Sequence, residues 1–412
     1  MAPELFQVVT PTDALARLSA HITSTKPSPE RVAIEQAIGR ITITQIISKE
    51  QSPSFPRSAM DGYAVRAIDT YGASAGLPSY LQSDGEVPMG ASDLEPISPA
   101  SARLIHTGGM IPPNADAVVM VEHTQIIDKH AIEVIRPVAP GENIIRAGED
   151  ISPGDVVLPK GHRIRAQDAG ALAALGISEI EVAARPILGV VSSGDELVAP
   201  DKKPLAGQVR DVNSTTLLSL ARNSGANAQA FGIAPDNFEG LRKRAHQALD
   251  SCDIVAISAG SSVSTRDLTA EVINSLGNPG VLTHGLTVKP GKPTIVAAAN
   301  GKPIFGLPGN PVSAIVVFGL VVEPTIRQLL GASNAETRPQ LRARLARNLP
   351  SETGRMDFVP ATLVHRAGDW WAQPILGKSN LIFTVVQASG LIQIPLNAGG
   401  VEEGSWVDVE LL

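Results

Sequence analysis

Lys289 and Lys292 stand three residues apart in Lys289-Pro290-Gly291-Lys292-Pro293, where two prolines stiffen the backbone and one glycine frees it. Ammonium groups carried on such a loop suit a compact dianion, because lysine acts as a hydrated point charge without a demanding planar geometry. A second stretch, Gly306-Leu307-Pro308-Gly309-Asn310-Pro311-Val312-Ser313-Ala314, reads as a strand running into a helix. Asn310 is placed to cap that helix, with Pro311 at its first position. The free backbone N–H groups of the helix start, with the Ser313 hydroxyl nearby, favour phosphate or another oxyanion. Taken singly, each stretch has an ordinary alternative: a solvated basic turn, and a tight turn with a good cap.

Acidic residues recur in polar loops: Asp61 in Ser58-Ala59-Met60-Asp61-Gly62-Tyr63-Ala64, Asp150 in Gly148-Glu149-Asp150, Glu196 in Gly194-Asp195-Glu196-Leu197, Asp267 before an expected helix, and Asp236 after Pro235. Hard oxygen donors of this kind suit magnesium, which keeps several waters and bridges to substrate phosphates. Each alone is more often a cap or turn residue. The eight histidines show no metal-ligand spacing, Trp370-Trp371 reads as strand packing, and no nucleophile stands beside a base partner.

The elements that must position these groups alternate in type. Thr12 to Leu18 and Ile34 to Gly39 have helical apolar spacing, and Gly39 marks a stop. From Pro53 to Asp150, short Val- and Ile-rich segments split by Gly and Pro predict a β-rich unit. Ala166 to Gly176 reads as a helix, and a break at Arg185-Pro186 predicts a domain boundary. From Pro186 to about Leu330 strands and helices alternate, beginning with Ile187-Leu188-Gly189-Val190-Val191, which predicts a doubly wound α/β domain on a parallel sheet. Ligands bind such sheets where loops leave the carboxyl ends of strands, so the loops after Val191, Ile257 and Leu307 are the candidates. The last ~80 residues alternate apolar and polar and predict a small β domain. The expected organisation is 1–185, with a β-rich unit at about 53–150 inserted in a helical linking domain, then 186–332 and 333–412.

Composition excludes several classes. At 412 residues the chain is long enough for two to four domains, and its 43% hydrophobic and 18% charged residues are globular. A net charge of −7 argues against wholesale binding of nucleic acid or anionic membranes, so an anionic ligand needs a local basic site. The single cysteine, Cys252, excludes a disulfide framework and fits a reducing compartment. The apolar stretch Ala314 to Val322 is shorter than the ~20 residues that span a membrane, and Met1-Ala2-Pro3-Glu4 begins no signal peptide, so a cytoplasmic protein is expected.

Taken in order, the five motifs around Asp61, Asp150, Glu196, Lys289 and Ser313 resemble the molybdopterin molybdenumtransferase family, the bacterial MoeA proteins and the gephyrin E domain, essentially end to end. The resemblance implies a multidomain α/β protein with a molybdopterin-binding-like central domain. It implies a homodimer in which the α/β domain of one subunit faces the N-terminal β domain of the other. It also implies a magnesium-dependent reaction in which molybdate enters adenylated molybdopterin and AMP leaves. Asp61, Asp150, Glu196 and Asp267 are then the catalytic positions, with Asp61, Glu196 and Asp267 on the metal. Thr107, Asp236, Lys289, Lys292, Pro293, Asn310, Ser313, Arg355 and Ser379 become the substrate positions, the last three, two serines and an arginine, helping to hold molybdate. The chain departs from the family where a glycine-rich loop is replaced by Ala259-Gly260-Ser261-Ser262-Val263-Ser264, and at Arg266, Gly285 and Pro360. An impaired scaffold that binds a protein partner, and an adenylyltransferase, are the competing readings.

Overall fold

The computed structural model describes residues 8–23, 27–260, 263–333, 338–366 and 368–412. At its centre is a six-stranded sheet in the order Asn227–Ala234, Ile187–Ser193, Ile254–Ala259, Lys302–Pro308, Ile295–Ala299, Pro279–His284. Both faces of the sheet are covered. Leu188, Val190, Ile254 and Ala256 point to one core with the helices Val212–Asn223 and Pro311–Val317, whereas Val191, Val255 and Ile257 point to another with Phe238–Ser251. This alternation is the pleat of a strand buried on both sides, and each fully buried Leu or Phe contributes ~1.5–3 kcal/mol.

The sheet is not wholly parallel. The first four strands of that order run parallel, but Ile295–Ala299 and Pro279–His284 are antiparallel additions. The cause is local: Ala299 pairs with Lys302 across Asn300-Gly301, both with positive φ (53° and 81°), a two-residue turn that forces a hairpin.

The β-rich unit is a second six-stranded sheet, ordered Ala117–Met120, Gly62–Val65, Ser101–Ile105, Ser79–Glu86, Ala131–Val134, Thr124–Ile126. Its chain enters and leaves at one point, where Ser52 N–H donates to the Ile151 carbonyl at 2.9 Å and Asp150 N–H to Ser52 at 3.1 Å. Beside it, Pro29–Ala33 pairs antiparallel with Glu179–Ala183, so residues before and after the insertion build one small unit around Ile164, Leu172 and Val182. The Ile34 helix expected here is only a 3-10 turn, Ile34–Gln36.

The last unit closes into a barrel. Met356–Arg366 pairs with both Asp369–Pro374 and Gly390–Ile394, and Gln340–Leu345 and Trp406–Leu411 complete the ring. One strand of the same sheet comes from the central unit: Val288–Lys289 lies parallel to Met356 and Asp357.

Two helices need comment. Pro11–Ser19, capped by Thr10, buries Ala14 and Leu18 in the central core, and Val9 N–H bonds the Gly285 carbonyl. The helical run Pro311–Leu329 is longer than the apolar stretch read from sequence, and is long and apolar enough to cross a membrane. Most of it, 67%, is packed inside the fold, so protein already covers that apolar surface.

Candidate active site

The Lys289 loop is rigid before any ligand arrives. Gly291 has φ +113°, and a Cβ there would sit 2.2 Å from Val317 Cγ1, so no other residue fits. The Thr294 hydroxyl holds the Gly291 carbonyl at 2.7 Å, and Leu286 N–H holds the Lys292 carbonyl at 2.9 Å. The loop forms one wall of a cleft of about 650 Å³ between the central unit and the barrel, and Lys289, Lys292, Pro293, Asn310, Ser313, Arg355 and Ser379 all line it.

The helix start at Pro311 differs from the sequence reading in one respect. Asn310 occupies the cap position, yet its side chain makes no cap bond. Instead its Nδ2 donates to Ser379 Oγ at 3.1 Å, while Val312 N–H donates to the Ser379 carbonyl at 3.1 Å. A strap from the barrel thus does part of the capping, and ties its own Ser379 to the wall carrying buried Ser313.

A residue not singled out from the sequence joins the two walls. Asp357, 3% exposed, accepts from Arg355 Nε at 3.0 Å on one oxygen and faces Lys289 Nζ at 3.6 Å with the other. Arg355 also pairs with Glu352 at 2.9 Å. An aspartate inside an alternating strand has no local signature, so only the register Lys289 to Asp357 reveals it.

A second cleft of about 640 Å³ adjoins the first and shares Asn310 with it. Glu196 lines it, together with Ser193 and Ser258 near the carboxyl ends of two central strands and Asp211 and Asn213 at the start of the helix Val212–Asn223. Asp236 is anchored next door: Ser193 Oγ donates to it at 2.7 Å, and its own N–H donates to Asp195 at 3.2 Å. Asp267 lines neither cleft. The helix begins at Val263, so Asp267 lies inside it and is exposed, rather than preceding it. Ser261 and Ser262 of the altered loop, and the Arg266 side chain, lie outside the described residues. Gly285 has φ +115° and donates its N–H to the Thr294 carbonyl, and Pro360 lines the first cleft.

Asp61, Thr107 and Asp150 line neither cleft and sit on or beside the β-rich unit. Asp61 precedes the strand Gly62–Val65 and Thr107 follows Ser101–Ile105, its antiparallel neighbour, so the sheet sets them side by side. Thr107 N–H and hydroxyl donate to the same Asp61 oxygen at 2.7 and 2.9 Å. These two bonds hold the exposed Asp61 carboxyl below its usual range. His106 stands 3.8 Å from Asp61 and 3.1 Å from Glu86. Asp150 is exposed at the crossing beside Ser52. Among the described residues no three His, Cys, Asp or Glu side chains gather as a metal cage. Asp61, Glu196 and Asp267 therefore do not form one cluster within a chain.

Family models match nearly the whole molecule: the MoeA N-terminal region (domain I and II) over residues 9–176, the probable molybdopterin binding domain over 189–328 and the MoeA C-terminal region (domain IV) over 342–412. Molybdopterin molybdenumtransferase of Haemophilus influenzae is 34% identical, over 92% of this chain and 93% of its own. Molybdopterin molybdenumtransferase 2 of Mycobacterium tuberculosis is 33% identical, over 92% and 94%. The crystal structure of a molybdopterin biosynthesis MoeA protein from Pyrococcus horikoshii superposes with TM-score 0.85 at 31% identity, covering 98% of this chain and 100% of that one. The chain belongs to the MoeA family, the molybdopterin molybdenumtransferases.

Proposed function

We propose that the first cleft holds molybdate while the chain inserts it into adenylated molybdopterin with release of AMP. The observation that carries this reading is the gathering of Lys289, Lys292, Ser313, Arg355 and Ser379, from two units, on one cleft. Molybdate is a tetrahedral dianion, and two lysines, an arginine fork and hydroxyl donors match it in charge and geometry. Unpaired carboxylates would repel it: Glu196 lines the adjoining cleft, and Asp357 in the wall of the first is buried and paired with Arg355 and Lys289. Adenylated molybdopterin then lies across Asn310, its sulfur end toward the molybdate and its phosphates toward Glu196. Asn310 and Ser379 fix the junction, and the buried wall around Ser313 keeps water from the oxyanion.

Magnesium would fit this donor set only together with substrate phosphates, since the described residues supply scattered hard oxygens rather than a cage. Glu196, Asp267 and Asp61 are the proposed donors, and the ion would neutralise phosphate charge as AMP leaves. Asp61, Thr107 and Asp150 reach the site from a second copy. Phe55 and Met60 near Asp61, and Leu381, Phe383 and Val386 on the strap, are exposed apolar residues that such an approach would cover. A homodimer in the cytoplasm, with small-molecule substrates, is the resulting picture. One buried thiol agrees with a reducing compartment.

The direct test adds molybdate to purified protein loaded with adenylated molybdopterin and measures AMP. Release that depends on molybdate is expected; none would turn the reading toward a binding scaffold. At molybdate too dilute to saturate Lys292→Ala, mixing Asp61→Ala with Lys292→Ala subunits should give more activity than either variant alone, and light scattering should give a dimer. Failure of complementation would place Asp61 in its own subunit's site or in none.

A further inference from the structure

We propose that Asp357 is the positioning residue of the oxyanion cleft, fixing the spacing between Lys289 and Arg355 so that the pair fits a tetrahedral dianion of molybdate size. The inference rests on the oxyanion reading above and names the group that sets its geometry.

Asp357 divides its two oxygens between the two walls. Oδ1 accepts from Arg355 Nε at 3.0 Å, on the barrel, and Oδ2 faces Lys289 Nζ at 3.6 Å, on the loop of the central unit. The parallel pairing of Val288 with Met356 and Lys289 with Asp357 sets Lys289 beside the carboxylate from across the two units. The Asp357 side chain is 4% exposed, whereas Lys289 and Arg355 remain 57% and 28% exposed. All three line the cleft, but the two cations present far more surface than the carboxylate between them. Long Lys and Arg side chains lose rotamer freedom on binding a ligand, and a buried acceptor that orders them beforehand removes part of that loss.

A negative charge behind an anion site also has an electrostatic effect, and it has the opposite sign. If Asp357 acted only by its charge, removing it would strengthen binding of every dianion. If it acts by spacing the cations, removing it weakens molybdate and blurs the distinction from sulfate, a smaller tetrahedron of equal charge. The direction of the change separates the two.

The test is calorimetric titration of the full-length protein with molybdate and with sulfate at fixed ionic strength, for wild type, Asp357→Asn and Lys292→Ala. Asp357→Asn is expected to weaken molybdate about tenfold, the scale of one lost charge-assisted contact, and to change sulfate much less. In steady state the KM for molybdate should rise while kcat at saturation holds, whereas general loosening of the barrel would lower the active fraction and so kcat. Unchanged or tighter molybdate binding in Asp357→Asn, beside weakened binding in Lys292→Ala, overturns the positioning role and leaves the cleft reading intact. If Lys292→Ala also binds molybdate as wild type does, the cleft reading itself falls, and this proposal with it. Where Asp357→Asn lowers the folded fraction, Arg355→Lys keeps the charge but has no Nε–H to give to Asp357. It should weaken molybdate as well, and wild-type affinity there would equally overturn the proposal.

Discussion

Lys289 and Arg355 come together only because a two-residue strand of the central unit joins the barrel sheet, whereas Asp61 and Thr107 come together because two neighbouring strands of one sheet end side by side. The basic cleft is thus a product of how two units dock, and its walls include buried Ser313 and Asp357, although Lys289 itself reaches solvent. The acidic pair is a product of local pairing, and it stands out in solvent, with Asp61 64% exposed. The difference teaches that the two kinds of site answer to different perturbations. Anything that shifts the units should reach the cleft, while the Asp61 loop should respond only to what touches it.

The largest expected effect falls on the exposed pair. Asp61→Ala should lower turnover a hundredfold or more, about the range for a group acting directly on the reaction, and leave the melting temperature close to wild type because the residue is on the surface. A variant that keeps full activity would remove Asp61 from the site and reduce the comparison to one region. Next in size, Lys292→Ala should weaken molybdate by about 10- to 150-fold, corresponding to roughly 1.5–3 kcal/mol for one charge-assisted contact. Tungstate, of nearly the same shape and charge, should lose as much, and titration with both oxyanions reads this directly.

Two glycine substitutions sharpen the contrast between docking and local structure. Gly291→Ala, at φ +113° and 2.2 Å from Val317 Cγ1, and Gly301→Ala, at φ +81° and 2.1 Å from Thr23 Oγ1, should each destabilise by about 1–3 kcal/mol in urea titration. Only Gly291→Ala should also reduce molybdate affinity. Equal losses of affinity in both would mean that the cleft responds to global stability and not to its own loop.

The smallest effect is a shift in pH dependence. Thr107→Val removes one of the two donors that hold the Asp61 carboxyl low, so the carboxyl should protonate at a higher pH than in wild type. The acidic limb of kcat/KM should therefore move upward, whatever the lost hydroxyl does to the height of the plateau. Superimposable profiles would show that ionisation of Asp61 does not govern the rate.

Much of this was legible in residue order, for identifiable reasons. Helices such as Phe238–Ser251 announce themselves by period and cap, and the Lys289 loop by two cations on a backbone constrained by proline and glycine. Asn300-Gly301 between apolar runs is a hairpin signal for the antiparallel strands, and it is local as well. Still others were not local at all. Asn310 has the residue type of a cap, and only Ser379, 69 residues away, explains why its side chain turns aside. Asp357 acquires its role from a partner in another unit, and no spacing within Met356–Arg366 marks it.

The docking of the Pro11–Ser19 helix has a consequence for the order of assembly. During synthesis this segment leaves the ribosome some three hundred residues before its partners, around Leu282 to Leu286 and at Gln328. Its apolar face around Ala14 and Leu18 cannot be covered until then. Pairing of such high contact order is slow to form and leaves exposed surface in the interval. The helix is thus made long before it can be seated, and the central core is sealed only once nearly the whole α/β unit is in place.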